Sequence, residues 1–514
     1  METLDWLVIG IFFLALIGII VWVVKQKQND SADYFLGGRD ATWLAIGASI
    51  FASNIGSEHL IGLAGAGASS GMAMAHWEIQ GWMILILGWV FVPFYSRSMV
   101  FTMPEFLERR YNPQSRTILS VISLISYVLT KVAVTVYAGG LVFQQVFGIK
   151  ELWGIDFFWI AAIGLVILTA LYTIFGGMKS VLYTSILQTP ILLLGSLIIL
   201  VLGFKELGGW DEMMRICGAV TVNDYGNTMT ELIRSNNDPN FPWLGALIGS
   251  AIIGFWYWCT DQFIVQRVLS GKNEKEARRG TIFGAYLKLL PVFLFLIPGM
   301  IAFALHQKYL GTGGEGFLPM LANGNANADA AFPTLVAKLL PAGVKGLVVC
   351  GILAALMSSL ASLFNSSAML FTIDFYKRFK PNTSEKKLVG IGQMATVAIV
   401  ILGILWIPIM RSVGDVLYTY LQDVQSVLAP GIAAAFLLGI CWKRTSAQGG
   451  MWGLIAGMII GLTRLGAKVY YSNVGDVSSS TFKYLFYDMN WLFFCGWMFL
   501  FCYRSQHVYS CPKR

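Results

Sequence analysis

Charge is what this chain lacks. Of its 514 residues only 12% are Asp, Glu, Lys or Arg, against roughly one-quarter in a soluble domain. With 56% hydrophobic residues, that scarcity excludes an ordinary soluble enzyme or binding module. Cysteine is also sparse. The seven cysteines show no metal-ligand spacing, and Cys259, Cys350, Cys441, Cys495 and Cys502 lie in or beside apolar runs. They read as packed, reduced thiols. No Gly-x-x-x-x-Gly-Lys-Ser/Thr phosphate loop occurs, and no hydrophilic domain exists to hold one, so ATP is not the expected energy source. No nucleophile–base pair appears either, so an enzyme is not expected. The first apolar run opens with Met1-Glu-Thr-Leu-Asp5 rather than a basic segment, and it reads as a retained span, not a signal peptide. The formal charge of +8 does not indicate nucleic acid, because the basic residues sit in short loops between apolar runs.

What is present is apolar length. Runs of about 20 residues, enough to cross a bilayer as helices, occur near 6–24, 42–71, 75–96, 117–147, 156–175, 180–203, 241–268, 281–305, 335–372, 387–410, 416–441, 449–470 and 487–503. Fifty-four glycines and seventeen tryptophans fit close-packed membrane helices with aromatic belts. An all-α polytopic membrane protein of about 13 spans is expected. Every second loop is basic: Lys25, Lys27 and Arg39; Arg97, Arg109, Arg110 and Arg116; Arg267 to Arg279; Lys377 to Lys387; Lys443 and Arg444. The positive-inside rule then places the amino terminus outside and the carboxyl terminus in the cytoplasm of a plasma (inner) membrane. Asn382-Thr-Ser384 matches a glycosylation sequon but falls on the inner side.

The second run is broken by polar and small residues, with Asn54, Glu58 and His59 near its middle. An ionisable group at that depth is costly and marks a functional path. Interrupted helices expose carbonyls and amides, which is tolerated where they line a cavity. Five spans from 42 and five from 241 give halves of equal number, and the second half opens with its own polar break at Thr260-Asp-Gln262. Inverted five-helix repeats with broken leading helices are a transporter arrangement. The expected segments are an extra amino-terminal helix and cytoplasmic loop (1–41), a first repeat (42–203), an external loop (204–240), a second repeat (241–441) and additional carboxyl-terminal helices (442–514).

Other polar residues interrupt apolar stretches. Ser358 and Ser359 are hydroxyls on one helix. With carbonyls freed around Ala52 and Ile55 they suit a bare monovalent cation, or they simply let helices pack closely. Glu78 is a sugar-hydroxyl partner or an interfacial helix-end carboxylate. Lys288 either snorkels or meets a buried partner or hydroxylated ligand. Asn54, His59, Glu78, Lys288 and Gln422 beside Trp and Tyr offer the mixed donors, acceptors and aromatic faces that a sugar requires. Each is equally compatible with a helix–helix hydrogen bond. Asp261 and Arg267 read as a structural or gating pair, with Lys131 a further charge near the membrane.

Asp33-Tyr-Phe-Leu-Gly-Gly-Arg39, Gly47-Ala-Ser-Ile-Phe-Ala-Ser-Asn-Ile-Gly-Ser57, Thr102-Met-Pro-Glu-Phe-Leu107, Trp256-Tyr-Trp-Cys-Thr-Asp-Gln-Phe-Ile-Val-Gln-Arg267, Met357-Ser-Ser-Leu-Ala-Ser362 and Pro430-Gly-Ile-Ala-Ala-Ala-Phe-Leu-Leu-Gly439 resemble the sodium/solute symporters, and among them the sodium/glucose (galactose) cotransporters. The resemblance runs in order over nearly the whole chain. It implies a leucine-transporter-like fold and uptake of a sugar with sodium by alternating access. It also implies a sodium site at Ala52, Ile55, Ala355, Ser358 and Ser359, and a sugar site at Asn54, His59, Glu78, Trp258, Lys288 and Gln422. Tyr257 would be the inner gate; Leu63, Trp77 and Tyr418 would form the outer gate. Inositol, an amino sugar or sialic acid are alternative substrates, and a sodium-gated sensor or channel is an alternative function. Three positions depart from the pattern. Ser185 replaces an aspartate linked to a second sodium, so one sodium per sugar is expected. Gly254 replaces a hydrogen-bonding residue. Glu58 adds a charge where close animal relatives have glycine.

Overall fold

The computed structural model describes residues 1–26, 30–56, 58–222, 226–235, 238, 241–321, 324–413 and 417–474. The expected span at 487–503 lies outside the described residues, as do the side chains of Tyr418 and Gln422. Helices dominate, and the described strands are a two-residue hairpin, Glu151–Leu152 with Ile155–Asp156.

Thr3–Val24 has a mean hydropathy of 3.1 and is apolar on every side. Ile9, Phe12 and Leu16 pack inward, while Leu14 remains 72% exposed. Such a helix is stable only where its outer face meets lipid. Among the described residues six helical runs are long and apolar enough to cross a membrane. The most enclosed, Val344–Met369, packs against Phe157–Leu207, Trp43–Asn54 and Thr3–Val24. Its amino end is capped from outside its own sequence: the Asp5 carboxylate accepts the backbone N–H groups of Gly343 at 2.7 Å and Gly346 at 2.8 Å.

Breaks set the helices' directions. Phe157–Leu207 runs for 51 residues, a length of about 77 Å if straight, far beyond the hydrocarbon core. Gly177 turns it, with φ +54°. A Cβ there would lie 2.4 Å from the Tyr34 carbonyl oxygen, so both conformation and contact require glycine. The expected spans at 156–175 and 180–203 are the two arms. The expected single span at 335–372 is instead two helices, Ala331–Leu339 and Val344–Met369. Pro341 removes an N–H donor, and Gly343 at φ +81° reverses the backbone.

Two helices are interrupted inside the protein. Trp43–Asn54 ends at Ile55, with φ −80° and ψ 91°, and the chain resumes as a wide π turn, Glu58–Leu63, that runs into Ala64–Ser70. The π stretch Phe255–Thr260 ends at Asp261, with φ −75° and ψ 129°, before Gln262–Leu269. Small residues bring neighbours into contact with these breaks. A Cβ on Gly299 would sit 1.9 Å from the Ala64 carbonyl oxygen, and one on Gly67 would sit 2.3 Å from that of Leu296. This is the small-residue packing by which membrane helices associate.

Candidate functional site

The first break frees two carbonyls by redirecting two amides. The Gly56 N–H donates to the Asn54 carbonyl at 3.1 Å and the His59 N–H to that of Gly56 at 3.2 Å. In an uninterrupted helix those donors would serve Ala52 and Ile55. The Ser358 hydroxyl lies 3.3 Å from that of Ser53 and 3.3 Å from that of Ser185. Ala52, Ile55, Ala355, Ser358 and Ser359 are all at least 98% buried. Ser185 donates back to the Val181 carbonyl at 2.6 Å, so a neutral hydroxyl, already engaged with its own helix, occupies the position where the resemblance expects a carboxylate.

A polar cluster forms where the helix carrying Glu78 meets the end of Glu274–Leu287. The Lys288 ammonium lies 2.6 Å from Glu78 Oε2 and 2.8 Å from His59 Nε2, and His59 Nε2 lies 3.2 Å from Glu78 Oε1. All three are at least 96% buried. An ammonium only donates and a carboxylate only accepts, so His59 Nε2 stands between a donor and an acceptor, and the ring's other nitrogen is Nδ1. That Nδ1 has no partner among the described residues. Nor do Asn54 Oδ1 and Gln80 Oε1, both buried. Three buried polar atoms thus lack a hydrogen-bond partner among the described residues, one beside Lys288, one on the side chain that holds Tyr257 and one facing Gly254, and unmatched buried polar atoms are costly. Lys288 also lies 5.6 Å from the Trp258 ring centroid, and Trp258 meets Tyr257 edge-on at 4.9 Å. The Asn54 amide donates to the Tyr257 hydroxyl at 3.0 Å.

The expected sugar residues Asn54, His59, Glu78, Trp258 and Lys288 therefore converge with Tyr257. Leu63 is buried on the π turn and Trp77 is half-buried against His76, with ring centroids 4.8 Å apart. Gln80 was not picked out from the sequence. Its signal is an amide two residues after the Glu78 carboxylate, facing Gly254, where a Cβ would meet Gln80 Oε1 at 2.7 Å.

The expected Asp261–Arg267 pair is corrected. Asp261 pairs with Lys131 at 2.8 Å and accepts a short hydrogen bond from the Tyr127 hydroxyl. Arg267 turns to the Ser49 and Ser53 hydroxyls, at 3.1 and 3.2 Å. Asp261 stands at the helix break with its carboxylate capping Phe263 N–H, which directs it towards the Tyr127–Val132 π turn rather than along its own helix. Opposite charges inside two apolar runs are a legible signal for that pairing. Lys131 Nζ also lies 4.5 Å from the Tyr257 ring centroid, joining the pair to the inner aromatic.

The sodium:solute symporter family model matches residues 34–457. The chain belongs to the sodium:solute symporter family. It is 39% identical over 479 residues to human sodium/myo-inositol cotransporter 2, covering 90% of this chain and 70% of that protein. It is 36% identical over 511 residues to sodium/glucose cotransporter 4 of Danio rerio, covering 96% and 76%. Among solved structures, a substrate-bound outward-open Na+-coupled sialic acid symporter matches at TM-score 0.78 with 21% identity, covering 100% of this chain and 99% of that one. MhsT in complex with L-phenylalanine matches at TM-score 0.54 with 14% identity, covering 91% and 99%. These likenesses establish the leucine-transporter-like fold. The symporter is a multi-pass membrane protein that couples sodium to solute transport.

Proposed function

We propose that the symporter imports a hexose of glucose or galactose type, one sodium ion accompanying each sugar. The observation that carries this reading is a set of three unmatched buried polar atoms: His59 Nδ1 in the Lys288–Glu78 cluster, Asn54 Oδ1 on the side chain that holds Tyr257, and Gln80 Oε1 facing Gly254. Neighbouring hydroxyls of a polyol both donate and accept, so they satisfy such a mixed set, while the C–H face of the ring stacks on Tyr257 and Trp258. An anionic solute would instead seek an unpaired cation beside these atoms, and Lys288 is already paired with Glu78. The names of the relatives favour a second reading within the same chemistry, a cyclic polyol such as myo-inositol.

Sodium would bind the carbonyls of Ala52, Ile55 and Ala355 and the hydroxyls of Ser358 and Ser359. The Ala52 and Ile55 carbonyls lie two residues or fewer from Asn54, whose amide holds the Tyr257 hydroxyl. An ion ordering this break would therefore fix both a sugar ligand and the inner gate. Leu63, Trp77 and Tyr418 would close above the sugar, with Gln422 adding an amide to it. Coupling requires both ligands to prefer the same state. One charge crossing 100 mV is worth about 2.3 kcal/mol, or roughly fifty-fold accumulation, so a single ion is sufficient for uptake. The alternating basic loops support an external amino terminus.

The test is uptake into proteoliposomes of glucose, galactose, myo-inositol and proline, under imposed sodium or potassium gradients. Sodium-driven accumulation of a hexose supports the reading, and exclusive accumulation of myo-inositol selects the second. Accumulation of proline alone, or hexose flux indifferent to sodium, overturns both.

A further inference from the structure

Glu58 has no role in the site described so far, yet it lies half-buried at the helix break. It opens the π turn that follows the first helix break. A small cavity of about 10 Å3 lies beside it, lined by Glu58, Lys131, Thr135, Tyr257, Ser359 and Gln425 among others. That volume admits one water-sized guest and no sugar. Two oxygens converge at its edge: a Cβ on Gly56 would meet Glu58 Oε2 at 2.5 Å and Ser359 Oγ at 3.1 Å. Glycine at 56 thus leaves open the space that a carboxylate and a hydroxyl approach together.

The surrounding charges define the guest. Two buried cations face this region, Lys131 and Arg267. Asp261 pairs with Lys131 at 2.8 Å, whereas Arg267 donates through Nε to the Ser49 and Ser53 hydroxyls and stacks over Phe263 at 4.9 Å, and its Nη2 has no hydrogen-bond partner among the described residues. Ser53 in turn lies 3.3 Å from Ser358 and 2.7 Å from Ser362. A bare cation held by neutral oxygens alone would enter a neighbourhood where two buried cations, Lys131 and Arg267, face the one carboxylate of Asp261, and at low dielectric that repulsion is severe. A carboxylate on the same cavity offsets it. We propose that the Glu58 carboxylate joins Ser359 in holding the single sodium ion where this cavity borders the site of the Ala52, Ile55 and Ala355 carbonyls, and that Lys131 competes with the ion for that carboxylate. With the ion present, Glu58 neutralises it; with the ion gone, Glu58 turns to Lys131, which lies 4.5 Å over the Tyr257 ring. Departure of the ion is thereby transmitted to the inner aromatic. The proposal rests on the reading that Ser359 belongs to the sodium site.

The experiment measures equilibrium 22Na+ binding to the purified full-length chain, unmodified and as Glu58→Gln, Glu58→Asp and Ser359→Ala. Melting in choline buffer checks that each variant is folded. Losing the charge should raise half-saturating sodium about tenfold or more in Glu58→Gln, and shortening the arm should raise it about threefold in Glu58→Asp. If Ser359→Ala weakens binding while Glu58→Gln stays within about twofold of the unmodified protein, the proposal falls and the neutral-oxygen site stands. If neither variant changes binding, both fall. Should Glu58→Gln fail to fold, Glu58→Asp carries the test, and an unchanged midpoint in it overturns the proposal.

Discussion

Removing Lys288 tests whether the buried cluster is a single electrostatic unit. Its ammonium lies 2.6 Å from Glu78 Oε2 and 2.8 Å from His59 Nε2, and all three side chains are nearly inaccessible. Lys288→Met keeps the aliphatic stem but strands the Glu78 carboxylate, 2% exposed, with His59 alone. Breaking a buried pair from one side costs about 3–5 kcal/mol, because the remaining charge is desolvated without compensation. Adding Glu78→Gln removes the stranded charge and keeps an acceptor near His59, so the double variant should regain more than half of that loss. Unfolding can be followed in detergent with a thiol-reactive fluorophore, since Cys217, Cys259 and Cys350 are buried and free. The single variant should melt several degrees below the unmodified protein and the double variant between them, with solute uptake lost in both. A double variant that melts no higher than the single, or a single variant that melts normally, refutes the reasoning.

Four further outcomes are expected. Ser359→Ala should raise the sodium needed for half-maximal uptake about tenfold or more, while Ser185→Ala, whose hydroxyl serves its own helix, should shift it about twofold or less; equal shifts contradict the assignment. Gln80→Leu should raise the solute KM with little change in 22Na+ binding, and an unchanged KM removes Gln80 from the site. Gly299→Ala, placing a Cβ 1.9 Å from the Ala64 carbonyl oxygen, should destabilise by about 2 kcal/mol or more; a normal melting temperature would mean that the two helices separate easily. Initial uptake rates should depend on sodium with a Hill slope of one, and a slope near two refutes single-ion stoichiometry.

Much of this was legible because lipid makes polar residues informative. Asn54, His59, Glu78 and Lys288 are conspicuous in apolar runs, and they meet because leaving any of them alone in lipid is costly. The breaks at Ile55 and Asp261 were readable from polar, small residues where a helix should be sealed. The partner of Asp261 was not. Reading along one segment suggested Arg267, whereas the π turn at Tyr127–Val132 brings Lys131 to it from a distant helix. Seven such π stretches occur among the described residues, and those at Glu58–Leu63 and Phe255–Thr260 carry His59, Leu63, Tyr257 and Trp258. Each shifts side chains away from the 3.6-residue period on which sequence reading depends. Gln80 escapes for a related reason: it opens the 3-10 segment Gln80–Trp82, directly after the single helical turn His76–Ile79 that carries Glu78, so regular helical spacing from Glu78 does not give its direction. The division at 340–343 was missed because one proline and one glycine in an apolar stretch resemble a tolerated kink.

The central claim is that an alkali ion held between the first interrupted helix and Val344–Met369 organises the adjoining polar pocket. Isothermal titration of the purified symporter with its transported solute, in sodium and then in choline at equal ionic strength, tests it directly. Binding at least about tenfold tighter in sodium is the expected result. Equal affinity in the two buffers would contradict the account.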